Sequence, residues 1–154
     1  MVIIKEVTRY EKKARYANEI LRALPEWFGI EKSIVNYVKE VQEVPFFVAL
    51  YADETVGFLA VKIHNEFTAE VFVMGVLKEY HGQKIGKMLL ESCEEYCQKR
   101  KIEFLTVKTL DDSNTDKNYA KTRGFYLKMG FKPLEVFPLL WDNDNPCLFM
   151  AKKI

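Results

Sequence analysis

The stretch EVFVMGVLKEYHGQKIGKMLL, Glu70 to Leu90, decides the fold, because it passes from strand to turn to helix without a break. Val71, Val73 and Val76 supply the β-branched residues of a strand. His81-Gly82-Gln83-Lys84-Ile85-Gly86 makes a glycine-containing turn. Ile85, Met88, Leu89, Cys93, Tyr96 and Cys97 then recur at helical spacing, while Lys87, Glu91, Glu94, Glu95 and Gln98 fall on the opposite side. A helix opened by such a turn presents unpaired backbone N–H groups and the positive end of its dipole, which together hold phosphate. The stretch therefore predicts a phosphate-bearing ligand where strand hands over to helix. It lacks the Gly-Lys-Ser/Thr ending of a nucleotide P-loop, so that reading falls away. Lys84 is read as the first helical position, with negative φ and an ammonium free to meet a phosphate.

Working outward, Val2–Val7 reads as a first strand. Thr8 and Glu11 fit a capping box ahead of a helix whose stripe is Tyr10, Ala14, Ala17, Leu21 and Leu24. Pro25-Glu26-Trp27-Phe28-Gly29 ends it, and Ile34, Tyr37, Val38 and Val41 mark a second helix that stops before Pro45. Phe46–Tyr51 and Thr55–Ile63 read as strands joined by a tight turn near Asp53-Glu54. After the central unit come a strand at Phe104–Leu110 and a polar run from Asp111 to Lys117. A helix follows at Asn118–Met129, with Gly130 as its C-terminal cap. A final strand pair, Phe131–Phe137 and Cys147–Lys152, is joined by a loop at Pro138–Pro146. The order is β, α, α, β, β, β, α, β, α, β, β, with no internal repeat and no linker, so a single domain over 1–154 is expected.

Composition supports a full apolar core: 49% of the 154 residues are hydrophobic, including 11 Phe and 8 Tyr. Lys and Arg number 23 against 22 Asp and Glu, which leaves no basic footprint for nucleic acid or an anionic membrane. No apolar run approaches the roughly 20 residues of a membrane-spanning helix. Charges begin at Lys5-Glu6, directly after Met1-Val2-Ile3-Ile4, so no signal peptide is read, and with three cysteines the expected setting is a reducing cytoplasm. Cys93 and Cys97 share a helix face but have no further His or Cys at ligand spacing; they read as core, and no metal is expected. The two histidines, His64 and His81, have no partner that sequence can name. Gly75 interrupts an apolar strand, where glycine marks a bulge or a close approach by other backbone.

Three local features make the chain resemble the GNAT superfamily of acetyl-CoA-dependent N-acetyltransferases. The turn His81–Gly86 stands where the family has Gln/Arg-x-x-Gly-x-Gly/Ala, with His81 and Lys84 off pattern. The run Phe125-Tyr126-Leu127-Lys128-Met129-Gly130-Phe131 resembles the late Phe-Tyr-x-x-x-Gly-Phe signature. Glu70 precedes Val71 where several members place a glutamate on the fourth strand. The stretch from Tyr119 to Phe131, with the ending Asn145-Pro146-Cys147-Leu148, is also similar to small bacterial members.

The resemblance implies an α/β fold of the α+β kind: a mixed central sheet of about seven strands, helices on both faces, and splayed fourth and fifth strands. It implies acetyl transfer from acetyl-CoA, as co-substrate, to a primary amine of a small molecule or peptide. The pyrophosphate would rest on His81, Gly82, Gln83, Lys84, Ile85, Gly86 and Lys87. The pantetheine arm would lie along Met74, Gly75 and Val76, with a bulge at Gly75 opening the sheet. An asparagine before the late helix, Asn114 or Asn118, and Tyr119 would also meet the cofactor. Tyr126 is the implied general acid, a phenol of reference pKa about 10 facing a thiolate whose conjugate acid lies at roughly 8.5. Glu70 is the candidate base, with Glu26 and Asp142 as alternatives. Trp27 and Phe28 in the first helix–helix loop and Trp141 in the late loop would border the acceptor mouth, where aromatic and acidic groups suit a cationic amine. Monomers of this fold can pair through the last strands. The rival reading is a non-catalytic acyl-CoA-binding or regulatory module on the same fold.

Overall fold

The computed structural model describes residues 1–154. In chain order it comprises β1 (Val2–Val7), α1 (Tyr10–Arg22), α2 (Glu31–Glu40), β2 (Phe46–Tyr51), β3 (Glu54–Ile63) and β4 (Thr68–Val76). There follow α3 (Ile85–Lys99), β5 (Phe104–Leu110), α4 (Lys117–Lys128), β6 (Lys132–Asp142) and β7 (Asn145–Lys153). Single 3-10 turns at Val41–Glu43 and Lys78–Tyr80 are too short to show a periodicity in sequence.

The strands form one seven-stranded sheet in the order β1-β2-β3-β4-β5-β7-β6. Only β4 and β5 pair in parallel, and α3 is the crossover that such a pair requires. One face is covered by α1 and α2, where Ala17, Ile20, Leu21, Leu24 and Ile34 meet Phe46, Phe58 and Val73. The other is covered by α3 and α4, where Ile85, Leu89, Cys93, Cys97 and Tyr126 meet Leu59, Val71, Leu105 and Val107. No helix is long and apolar enough to cross a membrane.

The sheet opens in its middle. β4 and β5 pair only over Thr68–Val71 and Phe104–Val107; beyond that β4 continues against β3 and β5 against β7, and the two diverge. The device that opens it lies at Phe72 and not at Gly75. Val61 faces Val71 and Ala60 faces Val73, so Phe72 is the extra residue of a bulge. The expected bulge at Gly75 is absent: Gly75 stays in register with Phe58. Its glycine lets α1 pack closely, since a Cβ there would lie 2.9 Å from Leu24 Cδ1 and 3.0 Å from Ile20 Cγ2, whose side chains would have to shift.

Two further expectations are corrected. The Thr8–Glu11 capping box does not form. Arg9 is the N-cap, so the helix begins one residue later than the box requires, and Glu11 pairs with the Arg9 guanidinium instead. The late loop is a hairpin: β6 runs on to Asp142, whose carboxylate accepts from Asp144 N at 2.9 Å and from Asn145 Nδ2 at 2.9 and 3.0 Å. Residues 138–141 bow out of the ladder, because pairing passes directly from Phe137–Cys147 to Asp142–Asn145. Pro138 has no N–H to donate there. Leu134, Val136, Leu139, Leu140 and Trp141 are exposed on this edge strand.

Candidate active site

The turn into α3 is built from backbone. From Gly82 to Lys87 no main-chain N–H meets a protein acceptor, and no side chain caps the helix. Gly82 has φ +78° and open space around its Cα. Lys84 corrects the expectation of negative φ: it sits at φ 65°, ψ 16°, in the left-handed region. The N-cap geometry needs that turn of the chain whether or not glycine supplies it, at a cost of roughly 1–2 kcal/mol for an L-residue. Gly86 is fixed by packing, since a Cβ would lie 3.1 Å from the Phe125 ring of α4. His81 turns back on β4, its Nε2 donating to the Val76 carbonyl at 2.7 Å. That carbonyl is one of the main-chain groups expected along the cofactor arm, so His81 already occupies part of it.

Where β4 and β5 diverge, side chains from both faces converge. Tyr126 on α4 is buried between Phe125 and Phe131, its rings at 5.4 and 5.5 Å centroid distance from theirs. Burial first, and then neighbouring Tyr119 and Tyr37, push its phenol well above the usual range, so it stays protonated. Tyr119 is pushed up to about 12, again by burial first and then by Tyr37 and Asp116. Tyr37, on α2, is raised by burial and by the charges of Glu40 and Glu70. Thr109, on the diverging part of β5, carries the one buried side-chain oxygen in the molecule that lacks a partner.

Trp27 does not stand free at a mouth. Its Nε1 donates to Thr122 Oγ1 at 3.1 Å and to Asn118 O at 3.3 Å, and its carbonyl accepts from Tyr119 Oη at 2.8 Å. Its ring lies edge-on to His81 at 5.7 Å. The loop after α1 is thereby strapped to α4 and to the turn before α3, with Glu26 paired to Lys78 beside it. Phe28 packs edge-on against Tyr37. Asn114 is also committed: its Nδ2 donates to Asp144 O at 3.2 Å and its Oδ1 accepts from Asp116 N at 3.0 Å.

Glu70 lies on the paired part of β4, its side chain only 9% exposed. Its Oε1 is 2.7 Å from His64 Nε2, and Lys108 Nζ reaches Oε1 and Oε2 at 3.3 and 3.2 Å. These three groups line a cavity of about 390 Å³ with Thr68, Thr106, Phe137, Leu140 and Phe149. Trp141 is not among its walls; the bowed segment turns Leu140 in instead. Asp142 is used in the hairpin turn and Glu26 in its ion pair with Lys78, while Glu70 lines this cavity.

The structure thus brings together residues that sequence does not connect. His64, Lys108, Tyr37 and Thr109 are brought to the site by β3–β4 hairpin register, by β5 and by helix packing. Only the alternation of β5, which places Thr106 and Lys108 on one face, carried any signal. Asp116, which caps α4 by accepting from Asn118 N at 2.8 Å and Tyr119 N at 3.1 Å, was legible as a capping residue type.

Comparison with known proteins agrees with this geometry. The family model for the acetyltransferase (GNAT) domain matches residues 42–133, more than half of the chain. The chain belongs to the GNAT acetyltransferase family. It is 26% identical, over 121 residues, to an uncharacterized N-acetyltransferase of Chlorobaculum tepidum, covering 77% of this chain and 70% of that one. A GNAT-family acetyltransferase structure from Desulfovibrio desulfuricans superposes with TM-score 0.85 at 14% identity, over 99% of each chain. The PaiA N-acetyltransferase of Thermoplasma acidophilum, solved with coenzyme A, gives TM-score 0.75 at 21% identity over 100% of this chain and 99% of that one. These likenesses extend the fold to the whole sheet, β1 and the β6–β7 hairpin included.

Proposed function

We propose that this chain is an N-acetyltransferase that moves an acetyl group from acetyl-CoA directly to a primary amine, acting as one domain in the cytoplasm. The observation that carries the reading is the opening of β4 from β5 immediately before a turn with unpaired N–H groups from Gly82 to Lys87. A pyrophosphate fits those donors and the α3 dipole. An extended pantetheine arm fits the free edge of β4 along Met74 and Gly75, and the unpartnered Thr109 hydroxyl fits a polar ligand beside it. Acetyl-CoA supplies an activated acyl group.

The rest of the chemistry falls to the protein. The Glu70 cluster receives the acceptor amine and takes up its proton, between the polar wall of His64 and Lys108 and the apolar wall of Phe137, Leu140 and Phe149. The amine lone pair forms the C–N bond, the C–S bond breaks, and Tyr126 donates its phenolic proton to the departing thiolate. The second N–H proton of the new amide returns to the tyrosinate, so amide, thiol and one released proton balance the reaction. Burial keeps the Tyr126 phenol protonated at neutral pH, so its O–H is in place to hydrogen-bond the departing sulfur.

The test has two stages. Acetyl-CoA at 100 times its Kd should stabilise the chain by about 2.7 kcal/mol, read as a rise in Tm. Thiol release is then followed with phenethylamine, lysine methyl ester and spermidine. A Tm rise without thiol release from any amine would leave a binding module, and no Tm rise would remove acetyl-CoA altogether.

A further inference from the structure

We propose that the proton acceptor of the site is His64, held as a base by Glu70, with Lys108 locking the carboxylate. The proposal rests on the transfer reading above and goes beyond it, since neither His64 nor Lys108 belongs to any motif of the sequence. The geometry separates the candidates. Glu70 has the charge of a base but not the access: its side chain is 9% exposed, and both of its oxygens already accept hydrogen bonds from protein. His64 has the access: its side chain is 40% exposed and it lines the same cavity.

The tautomer follows from the contact. A carboxylate can only accept, so His64 Nε2, at 2.7 Å, carries the hydrogen and donates it to Glu70 Oε1. In the neutral ring Nδ1 then holds the lone pair, and it makes no hydrogen bond to protein. This is the arrangement in which a carboxylate orients an imidazole, disperses the charge it gains, and leaves its other nitrogen to work as a base. The imidazole is also well placed by its backbone. His64 follows directly on β3, its N–H donates to Thr68 O at 2.9 Å, and Asn65 Oδ1 ties the hairpin by accepting from Phe67 N and Thr68 N at 2.8 and 3.0 Å. Lys108 approaches from β5, so the carboxylate is gripped across the last paired rungs of β4 and β5.

The step balances simply. The acceptor ammonium gives one proton to His64 Nδ1, and its freed lone pair attacks the acetyl carbonyl carbon. The imidazolium, stabilised by Glu70, later returns that proton to solvent. His64 is the catalytic residue in this scheme, and Glu70 and Lys108 are positioning residues.

Two measurements on the full chain test it. Long-range proton–nitrogen NMR of the imidazoles at pH 7.5 should find His64 as the Nε2–H tautomer with a bare Nδ1, and Glu70→Leu, which leaves no acceptor, should remove that bias. His81, fixed in the same tautomer by Val76 O, is the internal reference, and His64→Asn assigns the signals. With whichever of phenethylamine, lysine methyl ester and spermidine releases thiol, His64→Ala should lower kcat by about 10²-fold at unchanged acetyl-CoA stabilisation. Added imidazole should restore part of that loss, which it would not do for a purely structural histidine. An Nδ1–H tautomer, or wild-type kcat in His64→Ala, overturns the dyad while the transfer reading stands. If the wild-type chain releases thiol with none of the amines, the transfer reading itself falls and the role of His64 with it.

Discussion

The two halves of β4 do different work, and the difference is set at one residue. Before Phe72, Thr68–Val71 is bonded to β5, and what it offers the site is a side chain, Glu70, gripped by His64 and Lys108. After Phe72, the strand is released from β5, and what it offers is backbone, continued by the N–H groups from Gly82 to Lys87. A backbone surface tolerates substitution, because its donors do not depend on side-chain identity. This is how His81 and Lys84 can depart from the family pattern while the turn keeps its shape. The side-chain half has no such freedom. The sharpest way to separate the halves is Tyr126→Phe, which removes a proton donor and no backbone group. Its kcat should fall by about 10²–10⁴-fold, while the Tm rise with acetyl-CoA is unchanged. Loss of both together would mean that Tyr126 holds the cofactor, and that the halves are not separable.

Alkaline titration probes the tyrosines that meet where β4 and β5 part. Tyr119, pushed up to about 12 when folded, would ionise near 10 in the unfolded chain. Its contribution is therefore present below pH 10 and is lost between about pH 10 and 12, because the unfolded state sheds its proton first. Linkage gives a slope of about 1.4 kcal/mol per pH unit from this one group. Denaturant unfolding between pH 9 and 12 should show that slope reduced by about this amount in Tyr119→Phe. The same variant loses the bond to Trp27 O, which lowers stability at every pH and leaves the slope as the diagnostic.

Packing on the released half is tested at Gly75. Gly75→Val brings side-chain atoms against Leu24 and Ile20 and should cost about 1–3 kcal/mol, or about 2–4 °C in Tm for each kcal/mol. If the variant were neutral, the tight fit of α1 on β4 would be the wrong reason for this glycine.

The same contrast explains what sequence could tell. Element order was legible because periodicity is local: β2 and β5 lie where their β-branched and aromatic runs end, and Gly130, at φ 99°, caps α4 as its residue type requires. The helix-opening turn was legible for the same reason. The Phe72 bulge was not, because a bulge is a property of the pairing between two strands, and Gly75 drew attention that belonged to packing. The hairpin beyond Phe137 was obscured by Pro138 and Pro146, which read as loop although β6 carries on past the first as an edge strand. His64, Lys108 and Glu70 meet only through register across β3, β4 and β5, which no spacing in the chain reports.

Lys84 gives the smallest effect and the finest separation of backbone from side chain. Its left-handed φ costs roughly 1–2 kcal/mol for a residue with a Cβ, offset in part by the greater entropy that glycine loses on folding. Lys84→Gly should therefore stabilise the free chain by about 0.5–1 kcal/mol, a Tm rise of about 1–4 °C. Acetyl-CoA then reports on the side chain. If the turn holds pyrophosphate by its N–H groups alone, the ligand-induced Tm rise is the same in the variant as in the wild type. If the ammonium contributes, the free protein gains stability while the ligand-induced rise shrinks, and the shrinkage fades with added salt as a screened charge must. The second result would mean that a lysine is kept in a strained position for its charge, and that this cradle is the one place where the two kinds of chemistry on either side of Phe72 overlap.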